Sequence, residues 1–186
     1  MIDVKALRSK RTIIVGDVNS GKTAYAMEVL NAFLCGGSGG IAVIDLAPET
    51  TRGVGGKLVP SADSDVLYLT TTIGTPRLSG TDEDEVETLA RRNAREIETL
   101  FDLYLESPRD VLFVNDVSLY LQAGSMERLL QVLATAATQV INSYYGSRLG
   151  DSAFSRSSII FVEMNLFIYR LYIAPSTFPS ESTTGM

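Results

Sequence analysis

Along this chain, short unbroken apolar runs alternate with longer stretches whose apolar residues recur every three or four positions. Residues 12–15 (Thr-Ile-Ile-Val), 41–44 (Ile-Ala-Val-Ile) and 111–114 (Val-Leu-Phe-Val) are runs of the first kind. They predict strands buried on both faces, because a half-buried strand would alternate with polar residues. Val66–Thr70 is predicted as a further strand. Helical spacing appears in residues 21–34, through Ala26, Leu30, Phe33 and Leu34, and the glycines from Gly36 onward stop it. A long helix is predicted from Asp82 or Asp84 up to Ser107-Pro108, with Val86, Leu89, Ala90, Ile97, Leu100, Phe101 and Tyr104 along one stripe. Asp82 and Glu85 have capping-box spacing at its start. Another helix is predicted over 125–142, then a polar loop over 143–157. Residues 158–163 and 167–173 are expected to be two strands paired as a hairpin.

Strands alternating with helices predict an α/β fold, a three-layer α/β/α sandwich with a mostly parallel sheet. Right-handed crossovers would bring the loops that follow the strands to one edge, where such sheets bind ligands. The 186 residues fit one domain, expected over 1–173, with 174–186 as a frayed polar tail.

Composition narrows the chemistry. The chain has no histidine, which excludes imidazole catalysis and histidine-ligated zinc. Cys35 alone cannot form an internal disulfide or a multi-cysteine metal site. A net charge of −6 does not favour nucleic acid as a partner. Residues 1–10 lack an apolar core of signal-peptide length, and the apolar stretch 159–173 is broken by Glu163, Asn165 and Arg170. No membrane span and a cytoplasmic location are therefore expected. A mean hydropathy of +0.14 on a small acidic chain hints at a buried interface between copies, hence a homo-oligomer.

The most specific signal is the octet Gly16, Asp17, Val18, Asn19, Ser20, Gly21, Lys22, Thr23, which fits G-x-x-x-x-G-K-[ST]. It follows a predicted strand and opens a predicted helix, the setting in which the pattern has meaning. Glycines allow a tight path, and amides at a helix N-terminus answer phosphate charge. Lys22 adds a compact cation for the β- and γ-phosphates, and the Thr23 hydroxyl can hold Mg2+. The octet resembles the Walker A motif of P-loop nucleotidases, which implies binding of a nucleoside triphosphate. ATP is expected, since no N/T-K-x-D pattern is present to read guanine.

The remaining candidates are polar residues at predicted strand ends. The run 111–114 leads into Asn115-Asp116 and resembles a Walker B strand. Neighbours on a strand face opposite ways, so only one of the two can face the metal, and a carboxylate favours Asp116. Asp45 and Glu49 follow the second strand and are the candidates for orienting water. Glu163 and Asn165 end the predicted fifth strand, where a polar residue could contact the γ-phosphate. Arg91, Arg92 and Arg95 read as a solvated helix face or as an arginine finger, and Tyr144, Tyr145, Arg148 and Arg156 as an ordinary loop or as a base-stacking one. Residues 53–57 could form a second phosphate-facing loop.

The arrangement is similar to RecA-like ATPases, which implies Mg2+-dependent ATP hydrolysis. A narrower resemblance joins residues 115–121 to adenosylcobinamide kinases, whose guanylyl-accepting histidine has no counterpart here. Three functions remain open: an ATPase, a small-molecule kinase, and a nucleotide-binding switch or assembly subunit with negligible turnover.

Overall fold

The computed structural model describes residues 2–49, 56–76 and 80–145, together with the backbone of 169–172. A short helix α1 (Val4–Leu7) precedes strand β1 (Arg11–Gly16) and helix α2 (Lys22–Cys35). Strands β2 (Ile41–Asp45) and β3 (Val66–Thr70) follow, then the long helix α3 (Glu83–Glu106) and strand β4 (Val111–Asn115). A 3-10 helix (Val117–Gln122), helix α4 (Met126–Leu133), strand β5 (Thr138–Tyr144) and strand β6 (Tyr169–Tyr172) complete the order.

The six strands lie in the order β3-β2-β4-β5-β1-β6, and every pairing is parallel. Alternation within each strand divides the core into two clusters. Ile13, Val15, Ile44, Val114 and Ile141 pack toward α3, the 3-10 helix and α4. Ile14, Val43, Phe113 and Val140 pack against α2, where Phe33 meets Phe113 edge-on at 5.9 Å. Helices thus cover both faces of a parallel sheet. That burial explains why the strands read as continuous apolar runs rather than alternating ones.

Local chemistry sets the helix ends. Asp82 caps α3 by accepting the Glu85 N–H at 2.8 Å. The Glu85 carboxylate reaches one residue farther back than a capping box requires, accepting from Thr81 N at 2.8 Å and Thr81 Oγ1 at 2.7 Å. At the far end of α2, Gly37 takes φ +67° and its N–H bonds the Leu34 carbonyl.

One expectation is corrected, and one falls partly outside the described residues. The helix predicted over 125–142 stops at Leu133, and its second half is strand β5, inserted between β1 and β4. Thr135, Thr138, Val140 and Ile141 are β-branched, and a strand buried on both faces has no alternation to distinguish it from a buried helix. Gln139 seals the junction, donating to the end-carbonyls of Leu133 and Ala136 at 2.6 and 3.0 Å. The last strand runs parallel to β1, with Thr12 opposite Tyr169 and Val15 opposite Tyr172. The hairpin partner expected at 158–163 lies outside the described residues.

No helix among the described residues is long and apolar enough to cross a membrane. The large apolar side chains exposed among the described residues are Val59 and Leu103.

Candidate functional site

The carboxyl end of β1 is the starting point. After Gly16 the chain turns through Asn19 (φ 58°) and Gly21 (φ 90°), both left-handed, and enters α2 at Lys22. Gly21 has open space where a Cβ would stand, but its φ would strain any other residue. The turn is tied to itself, because the Asp17 carbonyl accepts from Ser20 N at 3.3 Å and from Lys22 Nζ at 2.7 Å. Asp17 Oδ1 accepts the Val18 N–H at 2.7 Å, and the Gly16 carbonyl accepts from Tyr145 N at 3.0 Å.

Asn19, Ser20, Gly21, Lys22, Thr23 and Ala24 line an open cavity of ≈ 260 Å3, together with Gly56. The first amides of α2 have no carbonyl one turn earlier to bond, so this cavity sits at the positive end of a fourteen-residue helix. Ser20 Oγ is buried and has no partner among the described residues. Burial holds the Lys22 ammonium below the ordinary lysine range, while the Asp116 and Asp17 carboxylates pull it back up.

Asp116 reaches this neighbourhood by a sharp bend. Its backbone is left-handed (φ 56°, ψ 55°), a conformation that aspartate tolerates better than most residues. The Asp116 N–H donates to Asn142 Oδ1 at 2.7 Å, and the Asp116 carboxylate accepts from Ser118 Oγ. Asn115 turns the other way. It is fully buried, donates through Nδ2 to Asp45 Oδ1 at 2.7 Å and to the Gly56 carbonyl at 3.0 Å, and accepts from Asn142 Nδ2. Of the two neighbours, Asp116 is the one beside Lys22.

The two candidates for orienting water sit elsewhere. Asp45 is fully buried, and its carboxylate takes Ala47 N at 3.2 Å, Leu58 N at 2.6 Å, Tyr68 Oη at 2.9 Å and Asn115 Nδ2. Burial and then Asp45 push the Tyr68 phenol well up, so it remains a proton donor. Asp45 therefore joins β2, β3 and β4 through hydrogen bonds. Glu49 is exposed and lines a neighbouring cavity instead of the one at Lys22. Glu163 and Asn165 lie outside the described residues, as do Arg148 and Arg156. Tyr144 is buried at the end of β5 and Tyr145 packs against the core, so neither belongs to the open loop that stacking on bases would need. Arg91 pairs with Glu87 one turn back at 2.6 Å, both exposed, and Arg92 and Arg95 are exposed beside it, as on a solvated face.

Asn142 escaped the sequence reading, whereas Gly56 falls in the 53–57 stretch already singled out there. Asn142 had a legible signal: Val140-Ile141-Asn142 repeats the apolar-run-then-polar pattern of Ile44-Asp45 and Val114-Asn115. The mistaken helix hid it.

Mg2+ prefers oxygen ligands, keeps several waters, and takes few from protein. Thr23 lines the cavity and carries a hydroxyl, and Asp116, whose charge acts on Lys22, carries a carboxylate; both are oxygen donors of the kind that ion takes. The described residues hold no group of three or more Asp, Glu, His or Cys suited to a protein-only metal cage. Neither the protein-family models nor the curated proteins compared with the chain give a match.

Proposed function

We propose that this chain binds a nucleoside triphosphate, ATP by default, together with Mg2+ and hydrolyses it as a RecA-like P-loop domain. The observation that carries the reading is one cavity shared by a half-buried ammonium, the N-terminal turn of α2 and a left-handed glycine, with a carboxylate near the ammonium. The amides of that turn and the unpartnered Ser20 hydroxyl would bond phosphate oxygens. Lys22 would leave the Asp17 carbonyl for the β- and γ-oxygens and stabilise charge there as water attacks in line. Thr23 and Asp116 are the residues that would hold Mg2+. When bound, that ion neutralises charge on the phosphate oxygens.

Turnover is expected to be slow. Asp45 is committed to its four donors and Glu49 borders the next cavity, which leaves neither well placed on this reading to orient water. Slow turnover brings the behaviour close to that of a nucleotide-dependent switch.

Calorimetry with ATP and with GTP tests the reading, with and without Mg2+, alongside phosphate release. Lys22→Ala should weaken nucleotide binding at least about a hundredfold, the loss of a partly buried charge-assisted contact. Absence of heat from either nucleotide at millimolar concentration, on folded protein, would overturn the proposal.

A further inference from the structure

A second cavity, of ≈ 280 Å3, opens at the carboxyl ends of β2 and β3. Glu49 and Lys57 line it with Thr71, Thr72, Gly74 and Thr75. Gly56 borders the phosphate-binding cavity and Lys57 borders this one, so consecutive residues of a single segment separate the two.

That partition is built, and it is held from below. The Gly56 carbonyl accepts Asn115 Nδ2 at 3.0 Å and the Leu58 N–H donates to Asp45 at 2.6 Å. Asn115 and Asp45 are themselves bonded at 2.7 Å. The opposite wall is fixed as firmly. Asn93, only 3% exposed, donates to the Gly74 carbonyl at 3.0 Å and accepts the Gly74 N–H at 2.9 Å. Lys57 Nζ is steered to the wall by Thr70 Oγ1 at 2.8 Å, with the Thr71 carbonyl a long 3.5 Å away. An ammonium has three donors, so among the described residues Lys57 keeps capacity for a ligand. Polar groups supported by buried partners are what a preorganised binding pocket requires.

We propose that this cavity is a second ligand site, for a small molecule bearing one anionic group and at least one hydroxyl, and that residues 56–58 couple it to the phosphate-binding cavity. Lys57 answers the anion, and the hydroxyls of Thr71 and Thr72 take the ligand hydroxyls. Neither end of the partition moves without disturbing the Asn115–Asp45 pair, so occupancy on one side changes affinity on the other. The coupling rests on the nucleotide reading; the pocket does not.

The test is calorimetry and amide NMR on the full chain, with glycerate, with glycerol 3-phosphate, and with glycerol as the neutral control. At least one anion should bind at millimolar concentration, perturb amides near Lys57 and Gly74, and outbind glycerol. Lys57→Ala should weaken it about tenfold or more, Lys57→Arg should retain most of it, and Lys57→Met provides a second neutral variant closer in length. Saturating ATP should change the anion's affinity about fivefold or more, and the anion should change that of ATP by the same factor. Binding that survives Lys57→Ala but is lost in Lys22→Ala would place the anion in the phosphate-binding loop and overturn the proposal. Failure of both anions on protein that binds ATP overturns it while leaving the nucleotide reading intact. Lys57-dependent anion binding on protein that ignores ATP does the opposite. Independent binding of both removes the coupling alone.

Discussion

At the scale of single residues, the site depends on an amide that touches no expected ligand. Asn142 is 2% exposed and uses both ends of its side chain, accepting the Asp116 N–H and donating to Asn115. It thereby stabilises a left-handed bend that places the Asp116 carboxylate near Lys22. Asn142→Ala leaves the part-buried Asp116 N–H and the buried Asn115 side-chain oxygen without their partner, at a cost of about 1–3 kcal/mol in stability. It should also raise the Mg2+ concentration needed for tight nucleotide binding, while affinity measured in chelator stays unchanged. A residue that only held the fold together would move melting temperature without that split, so metal titrations of wild type and variant decide the matter.

Among elements, α3 shows how end chemistry and pH meet. Replacing Asp82 with Ala removes the cap at Glu85 N and should cost about 0.5–2 kcal/mol by denaturant melts. The hydrogen bonds from Thr81 N and Thr81 Oγ1 hold the Glu85 carboxyl below its ordinary value. A carboxylate with a depressed folded pKa stabilises at neutral pH, and its contribution fades as pH falls through that lowered value. Melts in acid should therefore show a smaller effect of Thr81→Val than melts at neutrality. This helix was legible from its stripe and its Asp82 start because it is amphipathic and meets water on one side. Strand β5 was not, because residues 138–144 are buried on both faces and offer no period to read. The same blindness concealed Asn142, whereas Lys22 and Thr23 could be found from spacing alone.

For the molecule as a whole, the sheet joins two cores that face opposite ways, and Phe113 on β4 sits at the middle of one of them. It is fully buried against Phe33. Phe113→Ala should cost about 3–5 kcal/mol, a large share of the roughly 5–15 kcal/mol that holds a domain folded, read as an earlier urea midpoint. The parallel α/β sandwich could be anticipated because each crossover leaves its own pattern of runs and stripes. Strand order could not, since hydrophobic pattern does not say which buried strand lies beside which. That order puts β5 between β1, which leads into the turn before Lys22, and β4, which leads into Asp116, so the two halves of the site are joined through a third strand.

The bond between Lys22 Nζ and the Asp17 carbonyl has a kinetic corollary. The ammonium is parked on its own loop, with much of its rotational freedom, about 2 kcal/mol for a lysine, already surrendered in the fold. On the proposed reading, an arriving polyanion would meet a berthed cation, which would swap one acceptor for another. Its release returns that cation to the same mooring, which leaves the loop ready for the next encounter.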